Sequence, residues 1–211
     1  MNNELIFLVQ TIVCLSFTLT AFRMGRSWLY TYIGVSIVLA NLFVTKQITL
    51  FGLAATGGNV VYGSVFLATD LLAEHYGDKE AKKAVLIGFS ATLFYTVMSQ
   101  TMLLFIESVD DWGAAEGMAS IFTSAPHIII ASLTAYLFSQ LYDIWVFQAI
   151  RKKTAGNFLW LRNNVSTWLS QAIDSIVFAS LAFFLIPSFL GNGNALPLKT
   201  VSEIVISTYL L

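Results

Sequence analysis

IIIASLTAYLFSQLYDIWVFQAIRKK, residues 128–153, carries one charge, Asp143, before it stops at Arg151, Lys152 and Lys153. About 20 consecutive apolar residues of helix cross a bilayer. A run of this length closed by cations reads as a membrane span ending on the cytoplasmic side. Working outward, the run extends from 119 to 149, and six others accompany it: 5–22, 28–50, 58–76, 83–106, 164–189 and 197–211. They are continuous and long, whereas strands of a membrane barrel are short and alternating. The expected fold is an all-α membrane protein, a polytopic bundle of six to seven transmembrane helices in a single domain, 1–211.

Composition agrees. Of 211 residues, 57% are hydrophobic and 11% charged, with a mean hydropathy of +0.75. A soluble domain carries about 25% charged residues, so this chain lacks the polar surface to solvate one. Net charge is −1, which offers nucleic acid no partner. The lone Cys14 excludes a disulfide framework. Glu4 precedes the first apolar run while Arg23 and Arg26 follow it. A cleavable signal has its positive charge first, so this run reads as a retained helix with its N-terminus outside.

The other cations continue the alternation. Lys79, Lys82 and Lys83 follow the third run and Arg151, Lys152, Lys153 and Arg162 the fifth; the intervening loops are uncharged or acidic, Lys199 excepted. The basic loops are therefore expected in the cytoplasm. FGLAATGGNVVYG (51–63) reads as a tight or partly re-entrant connection. The last run, about 15 residues, is short for a span, so either the chain continues beyond it or that helix does not fully cross.

Ionisable groups inside a membrane are costly and mark candidate sites. Here they are Lys46, Asp70, Glu74, His127, Asp143, Asp174 and Glu203. Two of them sit in one frame: SQLYDIWVF (139–147) and SQAIDSIVF (170–178) share S-Q-x-x-D-x-x-V-F. Asp143 lies roughly 12 Å inside Arg151 and Asp174 roughly 18 Å inside Arg162 at the helical rise. On antiparallel neighbours the two carboxylates are expected at comparable depth, facing one cavity, with Gln140 and Gln171 on the same helix faces. A structural role as polar glue between helices competes with a binding role, and the echo is compatible with duplication or with coincidence. Asp70 and Glu74 share a face, Asp70 deeper and Glu74 close enough to the inner surface to be solvated. Lys46, at the outer end of the second helix, can equally snorkel to headgroups. His127 follows Pro126 at a helix start, where a cavity role and a packing role are equally compatible.

Two histidines and one cysteine, far apart, argue against a zinc or haem enzyme, and no nucleophile or phosphate-loop motif is present. The chain is not expected to be an enzyme or to need a cofactor. Asp70, Gln100, Gln140, Tyr142, Asp143, Gln171 and Asp174, with Trp145 as a stacking group, suit a small planar heterocycle rich in N–H groups. A solute cation would suit the carboxylates as well.

FLATDLLAEHYG (66–77), SQLYDIWVF and LWLRNNVSTWLSQAIDSIVF (159–178) resemble, in order, the signature blocks of the queuosine precursor transporter (VUT) family; VLANLFVTKQITLFG (38–52) resembles its early N-x-x-x-x-K helix. The resemblance covers roughly residues 35–190. It implies uptake of 7-deazaguanines such as preQ0 and preQ1 across a prokaryotic inner (cytoplasmic) membrane. The family's polar positions fall on Asn41, Lys46, Asp70, Glu74, Gln140, Asp143, Arg162, Asn163, Asn164, Ser166, Gln171 and Asp174. Asp143, Asp174, Gln140, Gln171, Asp70, Asn41, Lys46, Asn163 and Asn164 are expected to bind substrate, and Glu74, Arg162 and His127 to gate or couple. Where the family often has Arg after Pro126, this chain has His127. The implied partners are a deazapurine and the lipid bilayer, and an assembly of several copies is compatible with the sequence. A substrate-binding membrane subunit of an energised vitamin-type system, or a transporter of another heterocycle, is the competing reading.

Overall fold

The computed structural model describes residues 2–123, 126–190 and 196–210, without the side chains of 53, 54, 126, 127, 190, 203, 207, 208 and 210. His127 and Glu203 therefore lie outside the described side chains. The elements run α1 (Asn3–Met24), α2 (Arg26–Phe43), β1 (Gln47–Leu50), β2 (Leu53–Thr56), α3 (Asn59–His75), α4 (Asp78–Met102), α5 (Ala114–Phe122), α6 (Pro126–Lys153), α7 (Leu159–Ser180), a π-helical turn (Leu181–Leu185), α8 (Ile186–Leu190) and α9 (Leu198–Leu210). The architecture is helical. Among the described residues, four helices are long and apolar enough to cross a membrane: Asn3–Met24, Asp78–Met102, Ile128–Lys153 and Leu159–Phe189.

Helix boundaries differ from the sequence expectation at two places. The second apolar run ends as helix at Phe43, and 47–56 form an antiparallel hairpin pairing Gln47 with Thr56 and Leu50 with Leu53. Phe51 (φ 52°) and Gly52 (φ 82°) make its turn. Two positive φ values in a row are the signature of the tight turn that matches strand twist. The hairpin is tied to the start of α1 by Asn3 Nδ2 donating to the Thr49 carbonyl (3.0 Å) and the Phe51 N–H donating to Glu4 (3.0 Å). The connection is thus tight, as its glycines imply, but strand-like. The run starting at 119 also divides: α5 ends at Phe122, and a new helix starts at Pro126, a residue suited to a first turn because it has no N–H to orphan.

α3 is the hub. Val65, Phe66, Ala68, Leu72 and Ala73 are buried, with α1, α2, α4 and α6 packed round it. Small residues let these helices approach: Ala68, Ala73, Ala81 and Ala84 are fully enclosed, the pattern by which helices pack in lipid. Where α3 begins, a Cβ on Gly58 would lie 2.6 Å from the Ala40 carbonyl oxygen. Gly58→Ala is expected to push α3 away from α2 and cost about 1–3 kcal/mol, the usual range for overpacking. Thermal unfolding in detergent measures it.

α6 and α7 form the most extensively packed pair, antiparallel and joined by a short loop. Beyond Ser180 the helix widens into a π turn ahead of Pro187. Proline cannot donate to the carbonyl four residues earlier, that of Phe183; the Leu196 N–H donates to it instead at 2.8 Å. The backbone account is thereby closed in a segment where water is scarce.

Candidate functional site

The repeated S-Q-x-x-D frame acquires a physical meaning in the α6–α7 pair. Ser139 donates to Asp174 at 2.9 Å, and Ser170 donates to Asp143 at 2.9 Å. Each motif's serine thus binds the other motif's aspartate, as two copies of one pattern do when they run antiparallel in register. Asp174 has a second hydroxyl, that of Tyr62 on α3 (3.0 Å), whereas the Ser166 hydroxyl near Asp143 donates to the Asn163 carbonyl (3.3 Å). Asp143 and Asp174 therefore sit on successive turns with separate partners; no hydrogen bond joins them among the described residues. A hydroxyl bonded to a buried carboxylate contributes about 1.5–3 kcal/mol. Ser139→Ala and Ser170→Ala are each expected to lower stability by about that amount, and unfolding in detergent checks it.

Asp143 belongs with α3. It is fully buried, Asp70 is 3% exposed, and their carboxyl groups lie within hydrogen-bonding reach of each other. Among the described residues no donor reaches either oxygen of Asp70 or Oδ2 of Asp143, and no acceptor reaches Nε2 of Gln140, all four atoms being buried. Gln140 is itself fully buried, with its Oε1 3.5 Å from the Thr69 hydroxyl. Native structures leave few buried polar atoms unpaired, and here four converge where α3 meets α6.

One turn along α3, Glu74 meets two guanidinium groups. Arg162 Nη2 is 2.6 Å from its Oε2, and Arg151 Nε is 3.7 Å away. Arg162 is 1% exposed. Its Nη1 donates to the carbonyls of Gly156 (2.9 Å) and Asn157 (3.1 Å), and its Cζ lies 5.3 Å from the Phe147 ring centroid. Arg162 thus ties the α6–α7 loop to α3. Arg151 adds a bond to the Ala73 carbonyl at 3.3 Å.

Beside this cluster is a cavity of about 510 Å³. Leu67, Asp70, Leu71 and Glu74, one stripe of α3, form one wall, and Leu159, Trp160, Asn163 and Asn164 of α7 form the other. Cavities of roughly 300–1,000 Å³ take small molecules.

Asp70, Glu74, Asn163 and Asn164 line the cavity; Gln140, Asp143 and Arg162 are buried in the adjoining cluster and are not part of its lining. Asp174 is one turn beyond Ser170 and nearly three turns along α7 from Asn164, bonded to Tyr62 near the start of α3. Gln171 is half-buried. Asn41 and Lys46 lie at the other end of α3: Asn41 donates to the Ile37 carbonyl of its own helix (2.8 Å), and Lys46 is exposed in the turn before the hairpin, bonded to Gly57. Asp70 is eleven residues along α3 from that end, roughly 16 Å by helical rise. Lys46 is therefore not within the second helix. Trp145 is 64% exposed on the outer surface of α6, stacked near Tyr142, and Gln100 ties α4 to the Phe122 carbonyl (2.8 Å). Neither Trp145 nor Gln100 borders the cavity. Ser139, Ser170 and Tyr62 are absent from the expected site, although the two serines open the very frame in which the aspartates stand out.

Apolar helices long enough to span a membrane, a buried cluster of carboxyl, amide and guanidinium groups and an adjoining cavity are the parts from which a helical membrane transport protein is built. The family model described as "Putative vitamin uptake transporter" matches residues 56–211, and the chain belongs to that family of transporters. A Bacillus subtilis (strain 168) protein described as "Probable queuosine precursor transporter" is 42% identical over 188 residues, 89% of this chain and 78% of its own. The "Queuosine precursor transporter" of Escherichia coli (strain K12) is 27% identical over 161 residues, 76% of this chain and 69% of its own. A Haemophilus influenzae relative carrying the same description as the Bacillus protein is 29% identical over 175 residues, 77% and 71% of the two chains. No solved structure matches the chain significantly.

Proposed function

We propose that the chain takes up queuosine precursors, 7-deazaguanines such as preQ0 and preQ1, across the cytoplasmic membrane. It does so as a single transmembrane domain, 1–211, with six to seven spans, its N-terminus outside and its basic loops in the cytoplasm. The observation that carries the reading is the set of unpartnered buried atoms beside the cavity, in a chain whose curated relatives are described as queuosine precursor transporters. A guanine edge offers N–H donors next to a carbonyl acceptor. The amides of Asn163 and Asn164, which both donate and accept, read that edge. Asp70 and Asp143 supply acceptors and Gln140 Nε2 a donor to the substituent at the 7-position, so the ligand completes bonds that the protein alone leaves open. Asn163 and Asn164 face the same base from α7, and Trp160 gives it a flat apolar wall. Glu74 and Arg162 close the inner end as a gate. Asp174 and Gln171 line the path further along α7, and Asn41 and Lys46 stand at the outer entry.

Uptake by a host that cannot make the precursor, carrying this chain alone, tests the reading. Accumulation of labelled precursor supports it. Accumulation only when a separate ATP-hydrolysing subunit is added would instead make the chain the capturing subunit of an energised system.

A further inference from the structure

The Asp70–Asp143 pair has chemistry that a purely neutral base would not require. Two carboxyl groups within hydrogen-bonding reach are both acceptors unless one carries a proton. Among the described residues, Asp70 has no donor on either oxygen, and Asp143 has none on Oδ2. An ionised carboxylate buried without partners is among the costliest arrangements in a protein. The charged surroundings give the same count. Glu74 on α3 and Arg162 on α7 are the charged neighbours of Asp70, and Arg151 of α6, one-third exposed, reaches Glu74 from the other side. Three carboxyl groups thus face two guanidinium groups, and one proton on the pair brings the cluster to neutrality.

The remaining titratable groups around α3 are further off. Tyr62 and Asp174 bind each other toward its start. Cys14 of α1 and Tyr32 of α2 meet at Ser64, nearly two turns from Asp70, and His75 stacks on Phe22 beyond Glu74. Among the described residues, no titratable side chain of α4 is recorded against the pair.

We infer that the Asp70–Asp143 pair is a charge-reading subsite that holds one proton in the empty carrier and exchanges it for the ammonium group of a cationic ligand. An aminomethyl-bearing 7-deazaguanine brings its own positive charge, so the shared proton leaves to bulk solvent and the ammonium takes its place between the carboxylates. A nitrile-bearing 7-deazaguanine is neutral, and the proton stays. One cavity thus accepts both with the cluster neutral in each case. The inference rests on the proposed substrate class.

Binding of the aminomethyl and nitrile compounds to the purified full chain, measured across neutral pH, is the test. Displacing one proton makes the Kd of the aminomethyl compound rise about tenfold for each pH unit lowered, the linkage slope of one proton. The Kd of the nitrile compound is expected to stay flat. Equal slopes for the two compounds, or no slope for either, would overturn the inference. A second measurement needs no ligand: the infrared carbonyl band of a protonated carboxyl in the empty protein at neutral pH. Asp70→Asn is expected to remove one such band, and an unchanged spectrum would also overturn the inference. If neither compound binds, the substrate reading falls, and the infrared band alone decides whether the pair holds a proton.

Discussion

An Arg162→Ala chain is expected to lose roughly 3–5 kcal/mol of stability, the cost of breaking a buried charge pair by removing one partner. Few positions in the molecule combine so much. Arg162 is 1% exposed, pairs with Glu74 at 2.6 Å and holds two loop carbonyls, those of Gly156 and Asn157. Removing it leaves Glu74 with Arg151 alone, at 3.7 Å and one-third exposed. It also frees two carbonyls in a turn already committed to positive φ at Ala155, Gly156 and Phe158. The α6–α7 register that brings Ser139 to Asp174 and Ser170 to Asp143 follows directly from that turn. Arg162→Lys is expected to recover only part of the loss, because an ammonium cannot reach Glu74 and both carbonyls with a planar fork. The midpoint of thermal unfolding in detergent, compared with the unaltered chain, measures both variants.

The second large effect is on the ligand. Asp70→Asn and Asp143→Asn keep the shape of the side chain and remove its charge, and each puts an N–H₂ where the proposed ligand presents donors. A hydrogen bond to a charged group contributes about 1.5–3 kcal/mol, and a carboxylate taking two N–H groups loses both. The expected loss of affinity is therefore about a hundredfold or more for each variant, at tenfold per 1.4 kcal/mol. Membrane insertion should be preserved, since an amide is cheaper to bury than a carboxylate. Asp174→Asn separates the two aspartates of the repeated frame. Asp174 already has Ser139 and Tyr62 as donors, so its substitution should weaken the helix clasp and reduce affinity less than Asp143→Asn.

Much of the architecture is legible in the sequence because lipid leaves few alternatives to helix, and long apolar runs closed by cations mark where helices cross. QITLFGLAAT is the instructive exception. Its β-branched and apolar residues extend the hydrophobic run of α2, yet the adjacent Phe51 and Gly52 take positive φ and fold it into a hairpin. A hydropathy reading cannot separate these outcomes, since the turn is set by backbone φ and not by the apolar content of the run. Asp70, Asp143 and Asp174 stand out as expensive residues, but their partners do not. The contact of Glu74 with Arg162 joins residues far apart in the chain, through the packing of α3 on α7. The Ser–Asp clasp depends on the register of two antiparallel helices, set by the loop between them. The repeated frame is nonetheless the visible trace of that clasp: antiparallel pairing lets one pattern satisfy itself twice.

On the proposed reading, the unpartnered acceptors of Asp70 and Asp143, beside the α3–α7 cavity, hold a 7-deazaguanine. Equilibrium binding of labelled aminomethyl-7-deazaguanine to the purified chain and to its Asp70→Asn variant, both shown to be folded, tests it most directly. Saturable binding to the unaltered chain and a loss of about a hundredfold or more in the variant are expected, by the same hydrogen-bond arithmetic. Equal affinity for the two proteins would contradict it.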